Sequence, residues 1–187
     1  VEALLQPPKD KLRFITWNVG SLYEHKNEVL RVLLQHEPHF CCLQECHNKA
    51  GIISVFQGDI QPLGYHLFYC KDGNMVTVVK NGVDAVPIKS LPYDDGRVHR
   101  LGLKIGDFRF LVRHRHANPG SSPARAYLNA NLATEPAGDL IIDVSDFNES
   151  RGNIAGSVRV FSDERTFRRD STTDDFVTNI DGAYLSN

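Results

Sequence analysis

The sequence predicts a layered α/β sandwich, and three observations carry that reading. A strand, a helix and a second strand follow one another within about 30 residues, the size of a crossover unit. A run of shorter apolar segments comes next, and turn-forming dipeptides separate them. Parallel and hairpin connections in one chain belong to layered α/β architectures. With 187 residues, 41% of them hydrophobic and 24% charged, the chain fits one domain, 1–187, able to bury a core. Disordered, collagen-like and low-complexity classes are excluded.

Each element has its own reason. Leu12–Val19 reads as a strand covered on both faces, with Leu12, Phe14 and Thr16 on one and Ile15, Trp17 and Val19 on the other. In Glu24–Gln35, Val29, Leu30, Leu33 and Leu34 recur at helical spacing, and Pro38 ends the helix. His39–Cys46 is a second, continuously apolar strand, parallel to the first. A short helical stretch at Gly51–Phe56 leads to strands at Tyr65–Cys70, Met75–Lys80, Val83–Ile88, Val98–Ile105 and Phe108–Arg115. Asp72-Gly73, Asn81-Gly82 and Gly106-Asp107 lie between them as tight turns, which predicts antiparallel hairpins. A helix over Ser122–Ala133, with Pro123 in its first turn, precedes strands at Asp139–Val144, Val158–Phe161 and Ile180–Leu185. No apolar run reaches the ~20 residues of a membrane span, and no membrane partner is expected.

The chemistry is read from four places where an apolar strand face turns polar. Leu12, Phe14 and Thr16 run on to Asn18, and Cys41 and Leu43 to Glu45. Phe108, Phe110 and Val112 run on to His114 and His116; Leu140, Ile142 and Val144 run on to Asp146, with Asn148 beyond. Alternation puts each polar group in line with buried neighbours at the carboxyl end of its strand. One such Asn or Asp is ordinarily a cap or turn. Four together supply amide, carboxylate and imidazole groups. Carboxylate and amide oxygens suit a hard cation such as Mg²⁺ that keeps waters and meets phosphate. Histidine adds a proton carrier or a donor to a phosphate oxygen.

The same residues carry a resemblance. Ile15-Thr16-Trp17-Asn18-Val19, Cys42-Leu43-Gln44-Glu45 and Ser145-Asp146-Phe147-Asn148-Glu149 are similar to signature motifs of the endonuclease/exonuclease/phosphatase superfamily. That group includes exonuclease III-like and retrotransposon endonucleases, DNase I and Mg²⁺-dependent phosphodiesterases. Leu63-Gly64-Tyr65, Thr166-Phe167-Arg168-Arg169 and Ile180-Asp181 also resemble its patterns, so the likeness covers nearly the whole chain. It implies a DNase I-like fold, two mixed β-sheets packed face to face with helices outside. It also implies Mg²⁺ (or Mn²⁺) held by Asn18 and Glu45, and a catalytic set of Asp146, Asn148, His116 and Asp181. In that scheme Asp146 orients or deprotonates the attacking water, Asn148 binds phosphate or positions Asp146, and His116 touches the scissile phosphate.

Three departures accompany the likeness. Ser145 stands where the family has Gly, and Asp143 occupies a mid-strand position that is apolar in the family. The family's late Ser-Asp-His motif does not follow Asp181: six residues remain and none is His. This leaves three readings: a chain cut short at its C-terminus, a substituted group, or an impaired enzyme.

Between Gly96 and Arg125 stand seven Lys or Arg against one acid, Asp107, although the formal net charge of the chain is -2. Arg109, Arg113 and Arg115 share the face of their strand opposite Phe108 and Phe110, which predicts a phosphate-tracking surface. The bland alternative is a solvated face answering the acid-rich tail. Arg113, Arg115, Arg168 and Arg169 are the candidate nucleic-acid contacts, with DNA the expected partner. Cys41, Cys42, Cys46 and Cys70 have neither disulfide-framework nor zinc spacing, so free thiols in a reducing compartment, nucleus or cytoplasm, are expected. The leading expectation is a Mg²⁺-dependent DNA endonuclease. The alternatives are an impaired member of the same fold acting as a binding module, and a phosphatase or lipid phosphodiesterase.

Overall fold

A computed structural model of the protein describes residues 12–91, 97–116, 140–146, 158–160 and 181–186, with positions 123, 126, 127, 130 and 131; for 140, 145, 146, 158–160 and 181–186 it describes the backbone alone. The described residues include two β-sheets and two α-helices described end to end. The first sheet holds β1 (Phe14–Asn18), β2 (Phe40–Gln44), β3 (Tyr65–Tyr69) and β4 (Val76–Lys80) in the order β1-β2-β4-β3. The second holds β5 (Asp84–Ile88), β6 (Val98–Ile105), β7 (Phe108–His116), β8 (Leu140–Asp146), β9 (Val158–Val160) and β10 (Asp181–Ser186) in the order β5-β6-β7-β8-β10-β9. Both are mixed, because β1 pairs parallel with β2, and β7 with β8, while the other pairings are antiparallel.

The crossover between β1 and β2 is α1 (Leu22–His36). Ser21 caps it, its Oγ accepting from the backbone N–H of Glu24, and so the helix starts two residues ahead of the predicted Glu24. Glu37 closes it in the left-handed region, its N–H donating to the Leu33 carbonyl just before Pro38. A second helix, α2 (Ile52–Ile60), outruns the predicted Gly51–Phe56, since Ile52, Ile53, Phe56 and Ile60 give it one buried face.

Two cores result. Ile52, Phe56, Val29 and Leu33 of the helices pack on Cys41, Leu43, Val76 and Val78 of the first sheet. Between the sheets lie Phe40, Cys42 and Val79 against Leu101, Phe110, Val112, Ile142 and Val144, with Phe14 stacked on Phe40 at 5.1 Å between ring centres. The outer face of the first sheet is therefore the helix-covered one.

The turns divide by outcome. Asp72-Gly73 joins β3 to β4 and Gly106-Asp107 joins β6 to β7 as antiparallel pairs, as predicted. Asn81-Gly82 makes no hairpin, because β4 and β5 belong to different sheets. The turn is tight, with the Val83 N–H donating to the Lys80 carbonyl and Gly82 at φ +90°. It carries the chain around the sandwich edge, so that Val79 and Val83 both reach the inter-sheet core. A dipeptide fixes the reversal and not the sheet that receives the next strand. The predicted helix at Ser122–Ala133 lies mostly outside the described residues; positions 123, 126, 127, 130 and 131 within it are helical.

Candidate active site

The site assembles at the ends of strands from both sheets. At the end of β1, Asn18 Oδ1 accepts from the Gly20 backbone N–H at 3.0 Å, and Gly20 sits at φ +64°, where a side chain would be strained. The turn holds the buried Asn18 side chain in place and leads into α1.

Glu45 follows β2, and here the structure corrects the alternation argument. Cys41 and Leu43 face the helices, so a regular pleat would send Glu45 to that side as well. Instead Glu45 adopts φ +53°, which breaks the alternation. Its Oε1 lies 3.5 Å from Nε2 of His116, at the end of β7 in the other sheet. Both side chains keep contact with solvent, 33% exposed for Glu45 and 18% for His116. A strand-end twist, and not the face of the strand, delivers this carboxylate.

In the second sheet the register sets His116 opposite Asp146, and Asp146 opposite Asp181, across the adjacent strands β7, β8 and β10. Three of the four predicted catalytic positions thus occupy one row. The fourth, Asn148, lies outside the described residues, as do Arg168 and Arg169. Among the described residues no three His, Cys, Asp or Glu side chains gather into a metal-holding group.

Beneath the Glu45–His116 pair the interior is polar. His114 is fully buried, its Nε2 2.9 Å from Gln44 Nε2 and its Nδ1 3.0 Å from Thr77 Oγ1. Gln44 also donates to Thr16 Oγ1 at 3.1 Å and to the Cys42 carbonyl at 3.4 Å. Burial, with His99 and His116 nearby, drives the His114 imidazole well below its ordinary range. Gln44 and Thr77 escaped the sequence reading. The available signal was the continuation of a buried β face, Phe110 and Val112, into a histidine.

The predicted basic face is not a solvent surface. Arg113 is 2% exposed and Arg115 1%, and Arg100 beside them is also buried. The Arg113 Nε donates to Asp143 Oδ1 at 2.8 Å and its Nη2 donates to Asp143 Oδ2, a two-pronged pair inside the protein. Asp143, out of place for an apolar strand face, is there to meet Arg113. Arg109 and Lys104, nearer the β6–β7 turn, remain exposed. The free cysteines make poor nucleophiles. Burial pushes Cys41 up to about 12 and Cys46 well above its ordinary value, and Cys70 rises to about 11 from burial and the Asp72 carboxylate.

Comparison with known proteins bears on this arrangement. The model of the Endonuclease/Exonuclease/phosphatase family matches residues 15–169. The chain belongs to that family. Its fold is that of the family's solved members. Humanized Danio rerio TDP2 superposes with a TM-score of 0.69 at 14% identity, over 94% of this chain and 83% of that one. D. rerio TDP2 complexed with single strand DNA product gives 0.65 at 16% identity, covering 95% and 84%. The mannosyl-6-phosphatase Bt3783 of Bacteroides thetaiotaomicron VPI-5482 gives 0.67 at 13%, covering 94% and 85%. No curated protein sequence matches the chain.

Family members are generally hydrolases of phosphodiester or phosphate bonds and typically depend on a divalent metal. The donor chemistry here fits such a cation. Glu45 presents a part-exposed carboxylate at the mouth of the inter-sheet gap, and Asn18 closes the neighbouring strand β1 with an amide oxygen. Both are hard oxygen donors of the kind Mg²⁺ takes.

Proposed function

We propose that this chain is a divalent-metal-dependent phosphodiesterase acting on DNA as an endonuclease. The observation that carries the reading is the meeting of Glu45 and His116 across two sheets, in line with the row His116, Asp146 and Asp181. Packing alone has no need of an acid and a histidine held at solvent contact between strand ends.

Glu45 and Asn18 would hold the cation, which when bound supplies charge neutralisation at the scissile phosphate. Asp146 accepts a proton from the attacking water, whose oxygen forms a bond to phosphorus as the in-line bond to the 3′ oxygen breaks, and the 3′ oxygen leaves as a hydroxyl with a proton from solvent. His116 donates from Nε2 to a phosphate oxygen, stabilising charge that grows as the P–O bond breaks. Asn148 binds phosphate or orients Asp146, and Asp181 supports the same row. DNA is favoured by the likeness to D. rerio TDP2 solved with a single strand DNA product.

A specific observation favours a second reading, hydrolysis of a small phosphate ester. Arg113 and Arg115, the predicted backbone contacts, are buried, and a phosphatase is among the similar folds. The test is nicking of supercoiled plasmid with Mg²⁺, beside hydrolysis of p-nitrophenyl phosphate and bis(p-nitrophenyl) phosphate. The proposal expects nicking and diester hydrolysis that fall at least ~100-fold in Asp146→Ala. Monoester turnover alone would establish the second reading. Equal rates in wild type and Asp146→Ala would overturn both.

A further inference from the structure

We propose that His114 is a positioning residue that joins the two sheets through Gln44 and Thr77 and so fixes the approach of Glu45 to His116. The inference rests on the functional reading above and adds a residue to it.

The argument begins with what holds the Glu45–His116 pair. Glu45 follows a strand of the first sheet and His116 ends one of the second, and their side chains meet at 3.5 Å. Glu45 sits just past the end of β2 in a left-handed conformation, so the pleat of its strand does not aim it. Its neighbour Gln44 is completely buried and is the last residue of β2. Gln44 Nε2 reaches His114 Nε2 at 2.9 Å, and His114 stands two residues before His116 on β7. One ring thus ties the residue next to Glu45 to the strand that carries His116.

The hydrogen-bond directions are consistent. The end of the Gln44 amide that faces the Cys42 carbonyl is its NH₂, whose two hydrogens are shared among three acceptors: His114 Nε2 at 2.9 Å, Thr16 Oγ1 at 3.1 Å and the Cys42 carbonyl at the longer 3.4 Å. With His114 Nε2 accepting, Nδ1 carries the ring hydrogen and donates to Thr77 Oγ1 on β4. The ring contacts β2 and β4 directly and β1 through Gln44 and Thr16. Stability alone does not call for this layer. The row below it is Phe110 and Val112, and an apolar residue at 114 would continue it. Gln44 Oε1 is buried with no hydrogen-bond partner among the described residues, a cost that Leu at this position would not incur. A polar layer that leaves one acceptor unmet, and whose members adjoin Glu45 and His116 along their chains, is best explained by the geometry it imposes.

Mn²⁺ binding, read from the electron paramagnetic resonance signal of the free ion, tests this without reference to turnover. Wild type, His114→Leu, His114→Gln, Thr77→Val and Glu45→Gln are compared, with thermal unfolding and bis(p-nitrophenyl) phosphate kinetics alongside. His114→Leu is expected to keep its Tm and to weaken Mn²⁺ binding by about tenfold or more. In the kinetics kcat falls more than KM changes. The amide of His114→Gln reaches the former Nε2 position and is expected to recover most of the lost affinity, which a space-filling role would not do. Thr77→Val shifts the affinity in the same direction as His114→Leu, by less. If His114→Leu does not fold, Thr77→Val decides alone, and wild-type affinity there overturns the inference. Loss of Mn²⁺ binding in Glu45→Gln with none in His114→Leu overturns the inference and leaves the functional reading intact. Mn²⁺ binding that Glu45→Gln does not alter overturns that reading, and this inference with it.

Discussion

Arg113 and Asp143 illustrate how far a single residue departs from what its charge announces. A guanidinium on the strand face opposite the inter-sheet core looks like a solvent-facing phosphate contact, yet here it is buried with both prongs on one carboxylate. The alternation of β7 was legible; the burial of its other face was not, because the carboxylate that meets Arg113 lies 30 residues away, on β8. Removing Asp143 takes the two-pronged carboxylate from a buried guanidinium, so Asp143→Ala is expected to cost about 3 kcal/mol or more in urea unfolding. The double change Arg113→Met/Asp143→Leu is expected to restore most of that. His114 supplies a pH signature. Its folded-state proton affinity is depressed by burial, so above its ordinary value of 6.5 the ring is neutral in both states and costs nothing. Below that value the unfolded chain gains a proton that the folded one refuses. Stability then declines by up to about 1.4 kcal/mol per pH unit until the folded ring protonates. Unfolding of His114→Leu should lack this part of the slope, measured from pH 7 down to 5.

At the scale of elements, strands and helices were readable because each carries a period, and so were the β1–β2 crossover and two of the three turns. Asn81-Gly82 reads as a hairpin by every local rule, but whether two strands pair depends on partners that a local rule does not see. The segment after β2 is the other case. Glu45, His47 and Ala50 all adopt positive φ without being glycine, a concentration of backbone strain beside the candidate site. Backbone contacts to the β3–β4 turn hold it, with Cys46 N–H donating to the Asn74 carbonyl at 3.0 Å. Exposed Ala50, at φ +54°, has no side-chain reason for its conformation, so Ala50→Gly should gain up to about 1 kcal/mol, read as a rise in Tm. Gly73→Ala should act in reverse. A Cβ there would stand 2.6 Å from Asn48 Cβ, and φ is +71°. Loss of stability with loss of Mn²⁺ affinity would show that the two loops hold Glu45 together.

For the molecule as a whole, the carboxylates and the histidine belong to strands drawn from two sheets. The motif resemblance named the candidate groups, whereas the approach of Glu45 to His116 depended on a twist at Glu45 that no spacing encodes. A cation bound there would favour the docked sandwich over the unfolded chain. Saturating Mg²⁺ at a hundredfold above its Kd should therefore add about 2.7 kcal/mol, roughly 5–10 °C in Tm for a chain of this size. EDTA should reverse the shift, and Glu45→Gln should show little of it. The order of the strands has one more consequence. All four strands of the first sheet precede Asn81, and the six described strands of the second follow Gly82. Severing the peptide at this corner would yield two fragments, one bearing Asn18 and Glu45 and the other His116, Asp146 and Asp181. Neither half would hold the full set of groups, and hydrolysis regained on mixing would report reassembly of the pair, a ready-made complementation switch.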